Sequence, residues 1–328
     1  MTQEASWWIT FSAGALISGG LFVLSARRGG FSIRRAAVSF LCGILAALPA
    51  ARLFHAAWYG AGEWLGMNPR SFSFAAGCAG FCLGAILPWL RQRMDIPALL
   101  DCLAVPGCLL IAFARFGEVF LGQLGLADVY SLGLPDIPEG SLLARFPFAA
   151  ADAWGYWYLS VSTLAALLAL AAAAYGLWLK HKKKTAPGVL FDRCAVLLCS
   201  ARMFLELIRM ESLIFRYVHL DQALCALFLL GLVIRACIRR QKTAGRFPIL
   251  PLVLVILCIA VNGVTQFLMD KPWMFEPVLP EGIYRWLNDN LKVFGLCLLL
   301  VTSVLPTVIH GRLCFRTVSP GSGTPADR

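Results

Sequence analysis

The stretch DCLAVPGCLLIAFARFGEVFLGQLG, Asp101 to Gly125, decides the fold. Its first half is apolar apart from Asp101. Its second half carries Arg115, Glu118 and Gln123 among Gly117, Gly122 and Gly125. The first part reads as an apolar helix with one acid at its head, the last as a turn-like segment. An arginine at the end of a spanning helix is costly in lipid unless it has a partner, a water path or a substrate. Glycines let backbone approach backbone or a ligand closely. The stretch therefore predicts the floor of a polar cavity inside a helical membrane bundle.

Composition extends that reading to the whole chain. Of 328 residues, 59% are hydrophobic and only 14% charged, which excludes an ordinary soluble globule and a disordered chain. Several runs reach the roughly 20 apolar residues that a bilayer requires. The formal charge of +11 does not point to nucleic acid. The basic residues lie in short loops between apolar runs, where they act as topology determinants. The 12 cysteines stand singly, mostly within apolar segments, with no CxxC pair and no Cys/His cluster. They read as small packing residues. With four scattered histidines, neither a metal nor any other cofactor is expected.

Working outward, nine spans can be drawn. They are Trp7 to Ala26, Ala36 to Tyr59, Phe72 to Leu90, the opening stretch, Trp154 to Leu179, Val189 to Ile208, Leu220 to Ile234, Phe247 to Phe267 and Leu291 to Ile309. Trp7 and Trp8 read as an interfacial anchor. The third span is rich in small residues that allow close helix packing. Residues 127–153 and 271–286 read as external loops, and Arg235 to Arg246 as a basic cytoplasmic loop. More than half of the lysines and arginines fall on one side, so the N-terminus is expected outside and the C-terminus in the cytoplasm. Acidic Glu4 and the lack of a basic n-region argue against a cleaved signal peptide. Residues 317–328, rich in Gly, Ser and Pro, read as a disordered tail. The fold class is thus an all-α, polytopic helical bundle.

The membrane-depth charges share one end of the bundle. Arg52, Arg115, Glu118, Asp152, Arg202, Glu206 and Arg209 all map to outer halves or outer ends of spans. Arg202, Glu206 and Arg209 are spaced i, i+4, i+7, which puts them on one helical face pointing into the bundle. Glu206 could simply neutralise the two arginines and lock helices together. Arg115 and Arg52, on separate helices, tilt the balance towards an anionic ligand, and arginine's planar fork suits phosphate. A phospholipid headgroup, with apolar walls for its chains, is the coherent candidate among the membrane lipids.

Four blocks make the chain resemble the prolipoprotein diacylglyceryl transferases of bacterial membranes. AARLFHAAW (Ala50 to Trp58) is similar to the family's small-small-Arg-x-x-Tyr/His motif. SFAAG (Ser73 to Gly77) sits where the family has Ser-Phe-His-Gly-Gly. Asp101 to Gly125 is similar to its signature, an Asp followed fourteen residues later by Arg-x-Gly-Asn-Phe-x-Asn-x-Glu. ARMFLELIR (Ala201 to Arg209) matches its Arg-x-x-x-Glu-x-x-Arg. The resemblance covers about residues 10 to 240. It implies a seven-helix core over 1–240, two additional helices over 241–316 and a multi-pass protein of the bacterial plasma membrane.

The resemblance implies transfer of a diacylglyceryl group from phosphatidylglycerol to the thiol of a prolipoprotein lipobox cysteine. Arg115 and Arg202 would hold the phosphate. Glu206 would orient Arg202 or complete the cavity. Glu118 is the leading candidate proton acceptor, with His55 and His219 as alternatives, and Arg52, His55, Gly117, Gln123 and Arg209 would contact substrate. The chain departs from the family where its histidine is Ala75, its Asn residues are Glu118 and Leu121, its signature Glu is Gln123, and its His-Pro-x-Gln-Leu-Tyr-Glu reads Phe-Pro-Phe-Ala-Ala-Ala-Asp at Phe146 to Asp152. Glutamine cannot act as a carboxylate base. The alternative is therefore a non-enzymatic member that binds phospholipid or lipoprotein precursor. The two diverge at Glu118: open to the space between Arg115 and Arg202 it serves catalysis, and tied into an ion pair it favours binding. A flippase is disfavoured by the one-sided charges and the lack of paired broken helices.

Overall fold

In lipid, a backbone can satisfy its own N–H and C=O groups along a single apolar segment only as a helix. The computed structural model describes residues 3–59, 69, 72–90, 95–125, 145, 147–151, 157–182, 186–206, 208–209, 214–215, 218–270, 276–277 and 279–315. Among them are nine α-helices: α1 (Gln3–Arg28), α2 (Ile33–Tyr59), α3 (Phe74–Ile86), α4 (Ile96–Gly117), α5 (Val161–Lys182), α6 (Val189–Leu205), α7 (Leu220–Ala244), α8 (Ile249–Asp270) and α9 (Glu281–Phe315). Seven are long and apolar enough to cross a membrane; α3 and α6 are not. At 1.5 Å per residue, the 17 residues of α6 reach about 26 Å, short of a hydrocarbon core of roughly 30 Å.

Several boundaries differ from the sequence reading. The fifth helix starts at Val161 rather than Trp154, because Trp157–Leu159 pairs as a strand with Ala149–Ala151. Ser160 then caps it, its Oγ accepting from the Thr163 amide at 3.3 Å. The expected basic loop after Ile234 is helical through Ala244. Arg235 and Arg239 reach Asp192 of α6 from it, at 3.2 and 2.8 Å. The last helix begins at Glu281, inside the expected loop, with an Arg285–Glu281 pair on its first turn. Trp7 is buried within the protein, stacked 5.1 Å from Phe11. The tail at 317–328, most of 127–153 and Asp152 lie outside the described residues.

Two hydrophobic clusters build the bundle. One joins α1 to α4 around Phe22, Phe40, Phe81 and Trp89. The other joins α6 to α9 around Val196, Leu229, Val255 and Leu313. Between them, Ala172 and Ala173 of α5 pack on Ala104 and Cys108 of α4 and Cys194 of α6. Helices α2 and α3 touch backbone to backbone. A Cβ at Gly80 would lie 2.8 Å from the Ala46 carbonyl oxygen, and one at Gly84 would collide with Cys42. A polar chain ties in the last two helices. Gln222 of α7 donates to Asn262 of α8 at 2.8 Å, and Asn262 donates to Thr302 and Ser303 of α9, each at 3.2 Å.

The opening acid does not stand at the head of its helix. Asp95 caps α4, accepting from the Ala98 amide, and Asp101 lies one turn inside. The Asp101 carboxylate instead caps a different helix. It accepts from the Gly188 amide (2.6 Å) and the Phe191 amide (2.9 Å) at the start of α6, where Gly188 takes a φ of +82°. This fixes α4 and α6 side by side and parallel, so that Arg115 and Arg202 arrive together at the far end. Asp101→Ala should cost about 1–2 kcal/mol, the worth of a helix cap, read as a lower unfolding temperature in detergent. An unchanged midpoint would show that the cap is dispensable.

Candidate functional site

Helix dipoles prepare the charged end of the bundle. Helices α4 and α6 finish there, each with an arginine in its last turn, Arg115 and Arg202. Helix α7 starts there, with Asp221 in its first turn. A cation at a helix C-terminus and an acid at an N-terminus are each favourable placements. Helix α3 also starts there and is anchored by Asp221. Ser73, its N-cap, donates to Asp221 Oδ1 at 2.5 Å, and the Phe74 amide donates to Oδ2 at 3.2 Å.

The arginines are nearly inaccessible. Arg115 is 1% exposed and Arg202 5%. Arg202 pairs with Glu206, the C-cap of its own helix, and with Asp221 at 3.2 Å. Arg115 Nη1 donates to Glu118 Oε1 at 2.5 Å, while Glu118 Oε2 lies 3.6 Å from Arg209 Nη2. Both guanidinium groups also face one ring. Their central carbons lie 3.6 Å (Arg115) and 5.4 Å (Arg202) from the Phe74 centroid. Two donors in this cluster, Arg115 Nη2 and Arg202 Nε, are buried without an acceptor among the described residues.

The expected site residues separate into groups. Arg115, Glu118, Arg202, Glu206 and Arg209 converge. Arg209 does so from beyond the helix, which ends at Leu205, and pairs with Glu118. Arg52 is buried on α2 next to Ala51, whose carbonyl accepts from the Ser73 amide. Half-buried His55 lies within electrostatic range of Arg52 and Asp221. Gly117 faces α1: a Cβ there would lie 3.1 Å from Trp7 Cδ1. Gln123 belongs by its backbone to a 3₁₀ turn, Glu118–Gly125, and its side chain lies outside the described residues. Asp221, in the first turn of α7, is a site residue that nothing in its sequence setting singles out.

A cavity of about 920 Å³ meets this cluster. Glu118, Arg202, Arg209 and Ser73 line it, together with Phe74 and Ala75. From there it continues between α2, α3, α4, α6 and α7 as far as Leu103 and Phe191, with mostly apolar walls. Leu103 lies fifteen residues from Glu118, about 22 Å along a helix. That exceeds one leaflet's share of a hydrocarbon core, about 15 Å. The cavity is thus long, greasy, and charged at one end. Cys78, Cys82, Cys199 and Cys225 are on its wall. Among the described residues no cluster of His, Cys, Asp and Glu could hold a metal ion. No family model matches this chain, and no curated protein matches it.

Proposed function

We propose that this chain is a membrane transferase of the prolipoprotein diacylglyceryl transferase type, moving the diacylglyceryl group of phosphatidylglycerol to a lipobox cysteine thiol. The observation that carries this reading is the pair of buried donors without acceptors among the described residues, Arg115 Nη2 and Arg202 Nε, beside one aromatic ring. Native proteins rarely leave such donors unmet. A phosphodiester brings two non-bridging oxygens that share one negative charge, which guanidinium groups hold well. The long apolar cavity suits the acyl chains of the same molecule.

In this reading the thiolate sulfur bonds to the terminal glyceryl carbon as that carbon's bond to the phosphate oxygen breaks. Glycerol phosphate leaves with the electron pair, and Arg115 and Arg202 stabilise the charge it gathers. Glu206 and Asp221 hold Arg202 in position. Arg52 and His55 supply the α2 side of the site. The reading also has α3 and α6 crossing with the other seven helices, the N-terminus outside and the protein in a bacterial plasma membrane. The charged cluster then lies at outer headgroup depth, and the Arg235 and Arg239 end faces the cytoplasm, as the positive-inside rule favours.

One contact favours a second reading, a lipid-binding member without transfer: the Glu118 carboxylate is engaged by both Arg115 and Arg209. Both readings are tested on the full chain in nanodiscs containing phosphatidylglycerol. Bound lipid should slow modification of the wall thiols, Cys78 and Cys199 among them, by an apolar maleimide, and a lipobox peptide should gain a diacylglyceryl thioether. Thiol protection without thioether supports the second reading. Equal labelling in nanodiscs with and without the lipid overturns both.

A further inference from the structure

Glu118 is placed as a competitor for the groups that a lipid phosphate would use. It lines the cavity, and its two oxygens take one nitrogen each from Arg115 and Arg209. The other terminal nitrogen of Arg115, Nη2, is buried without an acceptor among the described residues. An anion arriving at Nη2 would stand beside the Glu118 carboxylate on the same guanidinium. Like charges at that separation repel strongly in a site removed from water. The Arg115 guanidinium is the more deeply buried of the two, so the Glu118 carboxylate, which lines the cavity, is the group that gives way. Arg115, in the last turn of α4, is 1% exposed under the Phe74 ring, and Glu118 sits three residues on, at the start of the 3₁₀ turn.

We infer that Glu118 is a lipid-gated base: phosphodiester binding at Arg115 and Arg202 loosens the Arg115–Glu118 pair, and the released carboxylate takes the proton of the incoming thiol. This deepens the transferase reading and rests on it. The proton balance closes. The thiol proton passes to Glu118 as the carbon–sulfur bond forms, and from Glu118 to the departing glycerol phosphate, which restores the Glu118–Arg115 pair. The pair therefore guards the site between turnovers. Without lipid the carboxylate is neutralised by Arg115 and Arg209, and a thiol finds no free base. Binding is ordered, lipid before peptide.

The consequence that separates gating from a plain structural ion pair is the sign of one effect. Glu118→Gln keeps shape and can still accept a hydrogen bond from Arg115, but carries no charge to compete with phosphate. Phosphatidylglycerol retention by the purified full chain should rise, on the order of tenfold, the size of a typical coupling between two ligands. Transfer to a lipobox peptide should fall at the same time. Glu118→Asp, which keeps the charge on a shorter arm, should leave retention near wild type and serves as the control should the glutamine variant fold poorly. A measured loss of thermal stability in detergent identifies such a failure. Unchanged or weaker lipid retention in a folded Glu118→Gln protein overturns the gating. Absence of phosphatidylglycerol retention by the wild type overturns the transferase reading itself, a separate result. Transfer by Glu118→Gln at the wild-type rate removes Glu118 from the proton path.

Discussion

Arg202→Gln is expected to abolish phosphatidylglycerol retention and, with it, any transfer. Arg202 is 5% exposed and answers two buried acids, Glu206 and Asp221. Removing the cation leaves both carboxylates uncompensated away from water. Breaking one partner of a buried pair typically costs about 3–5 kcal/mol, so the glutamine variant should also unfold at lower temperature. Arg202→Lys isolates the function. It keeps the charge for Glu206 and Asp221 but replaces the planar fork with a point charge. Fold should be largely retained, while transfer falls by about 10²–10³, the usual loss on removing one donor from a stabilising cradle. The readouts are thermal unfolding in detergent and thioether formation on a lipobox peptide. Transfer within a few-fold of wild type in Arg202→Lys would show that Arg202 is structural.

Much of this arrangement can be read along the chain because it is local. The apolar runs are helical among the described residues, and seven of them are long and apolar enough to cross a membrane, since run length sets what lipid requires of a backbone. The cations announce themselves too: Arg115 and Arg202 are conspicuous within otherwise apolar helices. What escapes is set by long-range contact. Asp221 looks like a common acid in a first helical turn, and its partner Ser73 is 148 residues away. Arg209 obeys helical spacing from Arg202, but α6 ends at Leu205, and the chain beyond it brings Arg209 to Glu118. Gly117 gives no sign in the sequence that it packs against Trp7, 110 residues earlier. Asp101 appears to be a helix-head acid and in fact caps α6, 87 residues later for Gly188. Each is a contact between separate helices, for which spacing carries no signal.

The hub of the site is the residue with the weakest sequence signal, so Asp221→Ala is expected to do more damage than loss of the Ser73 hydroxyl that it anchors. Its carboxylate accepts from the Ser73 hydroxyl and the Phe74 amide on one side and pairs with Arg202 on the other. It thereby fixes the start of α3, where Phe74 lies over Arg115. Truncation removes all three contacts at once. Arg202 keeps Glu206, so its charge is not wholly orphaned, but Phe74 loses the anchor that keeps its ring against both guanidinium groups. The expected cost is about 3–5 kcal/mol in stability, as for other broken buried pairs, with lipid retention lost in whatever fraction still folds. Asp221→Asn separates the two roles. An asparagine can still accept from Ser73 or the Phe74 amide through its carbonyl oxygen, so α3 should stay docked and stability should fall less. The lost charge then bears on Arg202 alone, and phosphatidylglycerol retention should rise, since one competitor for that guanidinium is gone. If Asp221→Asn instead loses stability and lipid together, as Asp221→Ala does, the Asp221 charge is needed to assemble the site.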